Sequence, residues 1–200
     1  MWNSAGGLGW KAEKSLSADG VELQMAVNHL VAFTLTLRLL PQLKAAPAGR
    51  VVATSSGSHF SAPSGIVDWF SDEAGKYRHM AVYGKAKLAT VLFTQELSRS
   101  LAGTTVTAHS FHPGFVRSGF GTGGDPAKKS PFECIAFLAI SPAKGAETGV
   151  FLIDAADVAK TPGLYWVKRK PAETSKEATA VSASRLWEQS DAAVRKILSE

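Results

Sequence analysis

"RVVATSS", residues 50–56, is a short β-branched run that ends in small polar residues. It reads as a buried strand with a site at its carboxyl end. A long helical pattern precedes it, with Ala26, Leu30, Phe33, Leu37 and Leu40 on one face. Pro41 and "AAPAG" are expected to end that helix. Residues 57–79 are rich in Gly, Ser and Pro, a loop of a length that usually has a function. A second helix is expected from about Ala81 to Leu101, with Leu88, Val91 and Leu92 turned to the core. "GTTVTAHSFHPG" follows as a strand broken by Pro113 and Gly114, and "GFGTGGDPAKKSP" as a connector. Helical patterns around 131–140 and 142–156, a last strand at "GLYWVK" and a tail helix near 180–198 complete the chain. Strands alternating with helices imply an α/β fold with a parallel sheet.

The bulk properties narrow the function classes. Two hundred residues, 45% hydrophobic and 20% charged, describe an ordinary globular chain with one well-buried domain. The net charge of +5 is mild and its bases are scattered, which suits a solvated surface or a phosphate-bearing cofactor better than a nucleic-acid groove. Cys134 is the single cysteine, so no intrachain disulfide forms, and a reducing, cytoplasmic setting is expected. "MWNSAGGLGW" carries no basic region or apolar core of a signal peptide. "AVNHLVAFTLTLRLL" is too polar to span a bilayer, and "FECIAFLAI" is only nine residues, so a membrane surface is left open but not indicated.

Four positions carry candidate chemistry. Asn28 lies in the first long helix, Ser55 and Ser56 end a strand, and "YGKAK" places Tyr83 and Lys87 at the start of the second helix. Four helical residues advance 400°, so Lys87 stands one turn on and only about 40° round from Tyr83. Tyrosine ordinarily titrates near 10, and work as acid or base near neutrality asks for a fall of about 3 units, roughly 4 kcal/mol. A nearby ammonium in a partly dry cleft pushes in that direction. A serine hydroxyl could hold a carbonyl oxygen in line with the phenol. Asn28 could anchor a water that relays the proton. Taken singly, each feature has a structural explanation: a surface ring, a turn serine, an asparagine bonded to a helix carbonyl. Their order along the chain, and the strand ending in Pro-Gly, is what joins them.

With these pieces in order, the sequence resembles the short-chain dehydrogenase/reductase family, nearest its retinol-dehydrogenase-like and WW-domain-oxidoreductase-like branch. The matching stretches are "NSAGG", "ADGVELQMAVNHL", "RVVATSSGSH", "YGKAKLATVLFTQELSRSL", "VTAHSFHPGFVRSGF" and "RLWEQS", spread over nearly the whole chain. The resemblance implies a Rossmann-like doubly wound parallel sheet and an NADP or NAD cofactor, NADP being put first. It implies Tyr83 as general acid/base and Lys87 as the residue that lowers its pKa and holds the nicotinamide ribose. It implies Ser56 for polarising the carbonyl and Asn28 for the proton relay. Pro113, Gly114, Val116 and Ser118 would line the nicotinamide carboxamide, and Asn3, Ala5 and Gly6 would lie beside the adenine ribose. The substrate would be a hydrophobic alcohol or its carbonyl compound. A homodimer through helices 20–40 and 81–101 is implied as well.

Three departures stand out. Ser4 replaces the second of two asparagines, and Val31 replaces a glycine after Asn-His-Leu. The larger one is that no glycine-rich turn of the form T-G-x-x-x-G-x-G follows a strand anywhere in the chain. The 200 residues are therefore expected to be about the C-terminal two-thirds of a single partial domain, with on the order of 80 residues absent at roughly 30 per βα unit. Strands near 50–55, 105–111 and 163–167 would be whole, residues 1–4 a remnant, and the strand near 50–55 an unguarded edge. The isolated chain would then bind cofactor very weakly and self-associate. Residues 57–80 and 119–140 are expected to wall the substrate cleft, through Trp69, Phe70, Phe120, Phe132, Ile135 and Phe137. Two other functions compete: an inactive pseudo-enzyme that binds a partner, and a serine hydrolase pairing Ser56 with His59, His109 or His112. The hydrolase lacks a G-x-S-x-G elbow. No metal site is expected.

Overall fold

The computed structural model describes residues 1–8, 13–71, 77–120, 122 and 133–199. Five strands form one sheet in the order β1 (Trp2–Asn3), β2 (Arg50–Thr54), β3 (Thr107–His112), β4 (Tyr165–Val167) and β5 (Lys170–Pro171). The first four run parallel, and β5 folds back antiparallel on β4. That reversal was not visible in "VKRKP". Its turn is made by Lys168 and Arg169, with φ of 49° and 63°. Two successive positive φ values are what a two-residue hairpin needs to match strand twist.

Helices cover both faces of the sheet, as a doubly wound fold requires. Neighbouring residues of β2 point opposite ways. Val51 packs with Phe33, Phe93, Leu97 and Val106, whereas Val52 packs with Phe111, Leu152 and Trp166. Both are fully buried, so a strand without polar alternation is the consistent sequence. α1 (Leu23–Met25), a π-helical turn (Ala26–Leu30) and α2 (Val31–Arg38) run on from one another. They lie with α4 (His79–Ser100) and α6 (Ala180–Ser199) on one side. α5 (Pro142–Asp154) packs on β2 and β3 from the other. Gly149 lets α5 approach closely, since a Cβ there would lie 2.5 Å from the Trp2 ring.

Three expectations bear on this architecture. The first helix ends at Arg38, just before Pro41 as expected, and Pro41 itself sits in the first turn of a further helix, α3 (Leu40–Ala45), where a missing N–H breaks no helical bond. β2 is not an open edge over its centre, because Trp2 and Asn3 pair with Val52 and Ala53, and the Val52 N–H donates to the Met1 carbonyl at 3.0 Å. α4 is buried without a break from Val82 to Thr94. Among the exposed apolar side chains, α2 carries Val31 and Leu35 and the first turn of α4 carries Met80.

α6 pins the segment after β2 in place. The Gln189 amide accepts from the Trp69 N–H at 2.8 Å and donates to the Val67 carbonyl at 2.9 Å. His29 Nε2 meets Ser190 Oγ at 2.7 Å, and the ring lies among Phe33, Phe70 and Phe93. Burial lowers the pKa of His29 to about 3, so it is a neutral core residue. No helix among the described residues is long and apolar enough to cross a membrane.

Candidate active site

A cavity of about 560 Å³ opens where β2 and β3 end. Carboxyl ends of parallel strands are where such folds bind ligands. Thr54 to Ser58 form one wall, Tyr83 and Lys87 of α4 a second, and His112 to Val116 a third. One glycine decides how the first two meet. A Cβ on Gly84 would stand 2.7 Å from the Ser58 carbonyl oxygen and 3.0 Å from the Ala62 nitrogen. Only the bare backbone of "YGKAK" lets the 3₁₀ turn Gly57–Ser61 lie against α4. That contact brings Ser56 and Tyr83 onto the same cavity, close enough for the serine hydroxyl to act on the phenol.

The two serines part company. Ser55 is buried and its hydroxyl donates to the Lys87 carbonyl at 2.8 Å, which ties the strand end to α4. Ser56 lines the cavity and caps the 3₁₀ turn, its Oγ accepting from the Ser58 N–H at 3.1 Å. Lys87 is buried; its Nζ donates to the Thr54 carbonyl at 3.0 Å and lies 5.7 Å from the Tyr83 ring centre. Phe120 meets the same ring edge-on, with centroids 5.5 Å apart.

The protonation of the pair departs from expectation. Burial pushes the Tyr83 phenol up to about 12, with the Ser56 hydrogen bond pulling back the other way. Burial also brings the Lys87 ammonium down to about 8. Desolvation disfavours the charged form of both groups. At neutral pH the pair is therefore a phenol beside an ammonium, a proton donor and a cation.

Asn28 sits in the π-helical turn and is buried. Its Oδ1 accepts from the Gly7 N–H at 3.0 Å, and its Nδ2 donates to the carbonyls of Gly7 and Gln24, both at 2.9 Å. The side chain is thereby committed to holding the loop after β1, behind the cavity wall. Pro113, Gly114, Val116, Ser118 and Gly6 all border the cavity. Asn3 and Ala5 do not: the Asn3 amide donates to Thr36 Oγ1 at 3.0 Å, and Ala5 is exposed.

The aromatic walls are partly corrected. Phe120 is in place, but Trp69 is buried in the core with Met25, Leu88 and Leu186, and Phe70 packs against that cluster. Hydrogen bonds from α6 hold the segment 67–69 away from the cleft. Phe137 is exposed and away from the lining, while Phe132 and the Ile135 side chain lie outside what the structure describes. Met80, Pro142, Gly145 and Ala146 line the cavity instead. The α5 residues carried no sequence signal of a site, because small residues on a helix read as packing. The three histidines do not serve a hydrolase. His109 Nδ1 accepts from Trp166 Nε1 at 3.2 Å, and His59 and His112 bond to backbone around Ser56.

The walls fit the nicotinamide end of a dinucleotide. Gly114 has a φ of +94°, and a Cβ there would come 2.9 Å from Ile140 Cδ1. A Cβ on Gly6 would lie 2.6 Å from Asn28 Oδ1 and 3.2 Å from Lys87 Nζ. Bare backbone thus borders the cavity at Gly6 and Gly114, with the Lys87 ammonium beside Gly6. Such a cradle suits a planar ring with a polar carboxamide and a ribose hydroxyl.

The family model described as short chain dehydrogenase matches residues 1–126. The chain belongs to the short-chain dehydrogenase family. Human retinol dehydrogenase 13 is 38% identical to it over 182 residues, which is 86% of this chain and 54% of that one. The chain spans about half the length of the curated relatives it matches. Among solved structures, an uncharacterised protein from Mycobacterium paratuberculosis superposes with a TM-score of 0.65 at 25% identity, over 91% of this chain and 62% of that one. A short-chain dehydrogenase from Burkholderia cenocepacia in complex with NADP gives a TM-score of 0.60 at 19% identity, over 82% and 61%, a likeness of fold alone.

Proposed function

We propose that the protein carrying this chain is an NAD(P)-dependent oxidoreductase that interconverts an apolar alcohol and its carbonyl compound. The observation that most supports this reading is the convergence of Ser56, Tyr83 and Lys87 on one cavity at the strand ends. The retinol dehydrogenases it resembles support an apolar alcohol, and Phe120, Met80 and Phe115 on the lining suit one. We put NADP ahead of NAD, as the family resemblance implies.

The bound nicotinamide would supply or take the hydride; the chain's own residues handle the oxygen and the proton. Ser56 Oγ and the Tyr83 hydroxyl would converge on the carbonyl oxygen. Tyr83 would donate its proton as that oxygen gains charge. A phenol held near 12 is fully protonated at pH 7, which suits the reductive direction. Lys87 uses one described hydrogen bond, to Thr54, and its remaining donors would hold ribose hydroxyls. Asn28 would act by fixing the loop after β1 through Gly7. Self-association, if it occurs, would use α2 and its exposed Val31 and Leu35. No observation favours a pseudo-enzyme, since the polar constellation is whole.

The test is Tyr83→Phe in the full-length gene product, assayed for carbonyl reduction and, by fluorescence, for cofactor binding. Turnover is expected to fall by about 10²–10⁴-fold with binding retained. Near-wild-type turnover would remove Tyr83 from the chemistry.

A further inference from the structure

The peptide unit joining Ser56 to Gly57 is held at both ends by imidazoles. Its carbonyl oxygen lies 2.7 Å from His59 Nδ1. Its N–H donates to His112 Nδ1 at 3.2 Å. The rings come from separate elements, His59 from the 3₁₀ turn after β2 and His112 from the last residue of β3. The two contacts impose opposite demands. A carbonyl can only accept, so His59 Nδ1 must carry a proton; an amide N–H can only donate, so His112 Nδ1 must be bare.

The surroundings agree with that assignment. His59 is fully buried, with the Phe60 ring 4.1 Å and the Tyr165 ring 4.7 Å from its centre. Its Nε2 has no hydrogen-bond partner among the described residues. A bare lone pair is tolerated there more readily than an orphaned N–H would be. His112 borders the cavity, and a Cβ on Gly57 would touch its ring at 3.7 Å, so the ring lies against the peptide it accepts from. Burial lowers the pKa of both rings, and the neighbouring His59 lowers that of His112 further, which keeps both neutral.

We propose that His59 and His112 are a pair of positioning residues, locked in opposite tautomers, that fix the Ser56–Gly57 peptide and so aim the Ser56 hydroxyl into the cavity. Ser56 itself is extended, with φ −158° and ψ 155°. A flip of the peptide after it would swing both ends of the unit and carry the residue out of line. The two rings oppose that flip from both sides, one from the 3₁₀ turn and one from the end of β3. The kinetic consequence rests on the oxidoreductase reading; the tautomers do not.

Two measurements test the pair in the full-length gene product. The first is long-range proton–nitrogen correlation on protein labelled with ¹⁵N. His59 is expected as the Nδ1–H tautomer and His112 as the Nε2–H tautomer, with scalar coupling across the bond from Gly57 N to His112 Nδ1. A proton on His112 Nδ1 at neutral pH would overturn the proposal. The second compares variants. His112→Leu removes the acceptor and is expected to lower kcat by about 10²-fold, the scale of a 1 Å misplacement, with cofactor affinity unchanged. His112→Asn puts an amide oxygen where Nδ1 stood and is expected to recover about tenfold of that loss, the worth of one hydrogen bond. Leu and Asn variants with equal kcat would refute positioning. If no carbonyl compound is turned over by the wild type, the oxidoreductase reading fails, while the tautomers still decide whether the pair exists.

Discussion

Replacing Gly84 by alanine sets two known effects against each other. In an open helix interior the change stabilises by about 1 kcal/mol, because glycine is the poorest ordinary helix former. Here the new methyl would stand 2.7 Å from the Ser58 carbonyl oxygen, 3.0 Å from the Ala62 nitrogen and 3.0 Å from the Ser61 carbonyl carbon. All three are backbone atoms, so no side chain can swing aside. The 3₁₀ turn must move off α4 by several tenths of an ångström. Overpacking of that kind costs about 1–3 kcal/mol, and we expect it to outweigh the propensity gain. The variant should be destabilised by up to about 2 kcal/mol net, a fall in Tm of up to about 8 °C for a chain of this size. Urea unfolding and thermal melts read this directly. The same displacement carries Ser56 away from Tyr83, so kcat for carbonyl reduction should fall by about 10²-fold, more than stability alone would explain. A Gly84→Ala protein as stable as the wild type or more so would show that the 3₁₀ turn is not seated on the helix by this contact, and the positioning argument would go with it.

Further outcomes follow from other contacts. Lys87→Met should damage both turnover and cofactor binding, since one ammonium touches the strand end and the tyrosine; measuring each separately would expose a residue with one role only. His29 is neutral in the fold at about 3 but titrates near 6.5 when unfolded, so the unfolded chain binds the extra proton between those values. Its contribution to stability is full above pH 6.5 and is lost as pH falls towards 3, on the order of 4–5 kcal/mol in all. In His29→Gln, denaturant titrations should show a shallower decline between pH 6.5 and 5. Phe120→Ala opens the cavity beside Tyr83 and should raise KM for bulky apolar carbonyl compounds more than for small ones; equal changes would remove it from the substrate wall.

The sequence by itself determined the order of strands and helices, because their signals are local. Val51, Val52 and Ala53 must be covered on both faces, and that requirement gives a parallel sheet before any coordinate is known. Tyr83, Lys87 and a strand-end serine were legible because helix geometry and strand ends bring such residues together, whereas the choice of Ser56 over Ser55 came from the family resemblance. Tertiary structure decided what depends on distant neighbours. Trp69 looked like a cleft wall and became core, because Gln189, 120 residues later, holds its backbone. Asn28 looked free to meet water and proved to be bonded on every side-chain polar atom, to Gly7 and Gln24. The Tyr83–Lys87 spacing promised a lowered phenol pKa, yet burial raises it, because desolvation is a property of the packed cavity and not of the helix. The two imidazoles at the Ser56 peptide were invisible for the same reason. A tautomer is set by what each ring nitrogen meets, and only the assembled sheet brings His112 to Gly57.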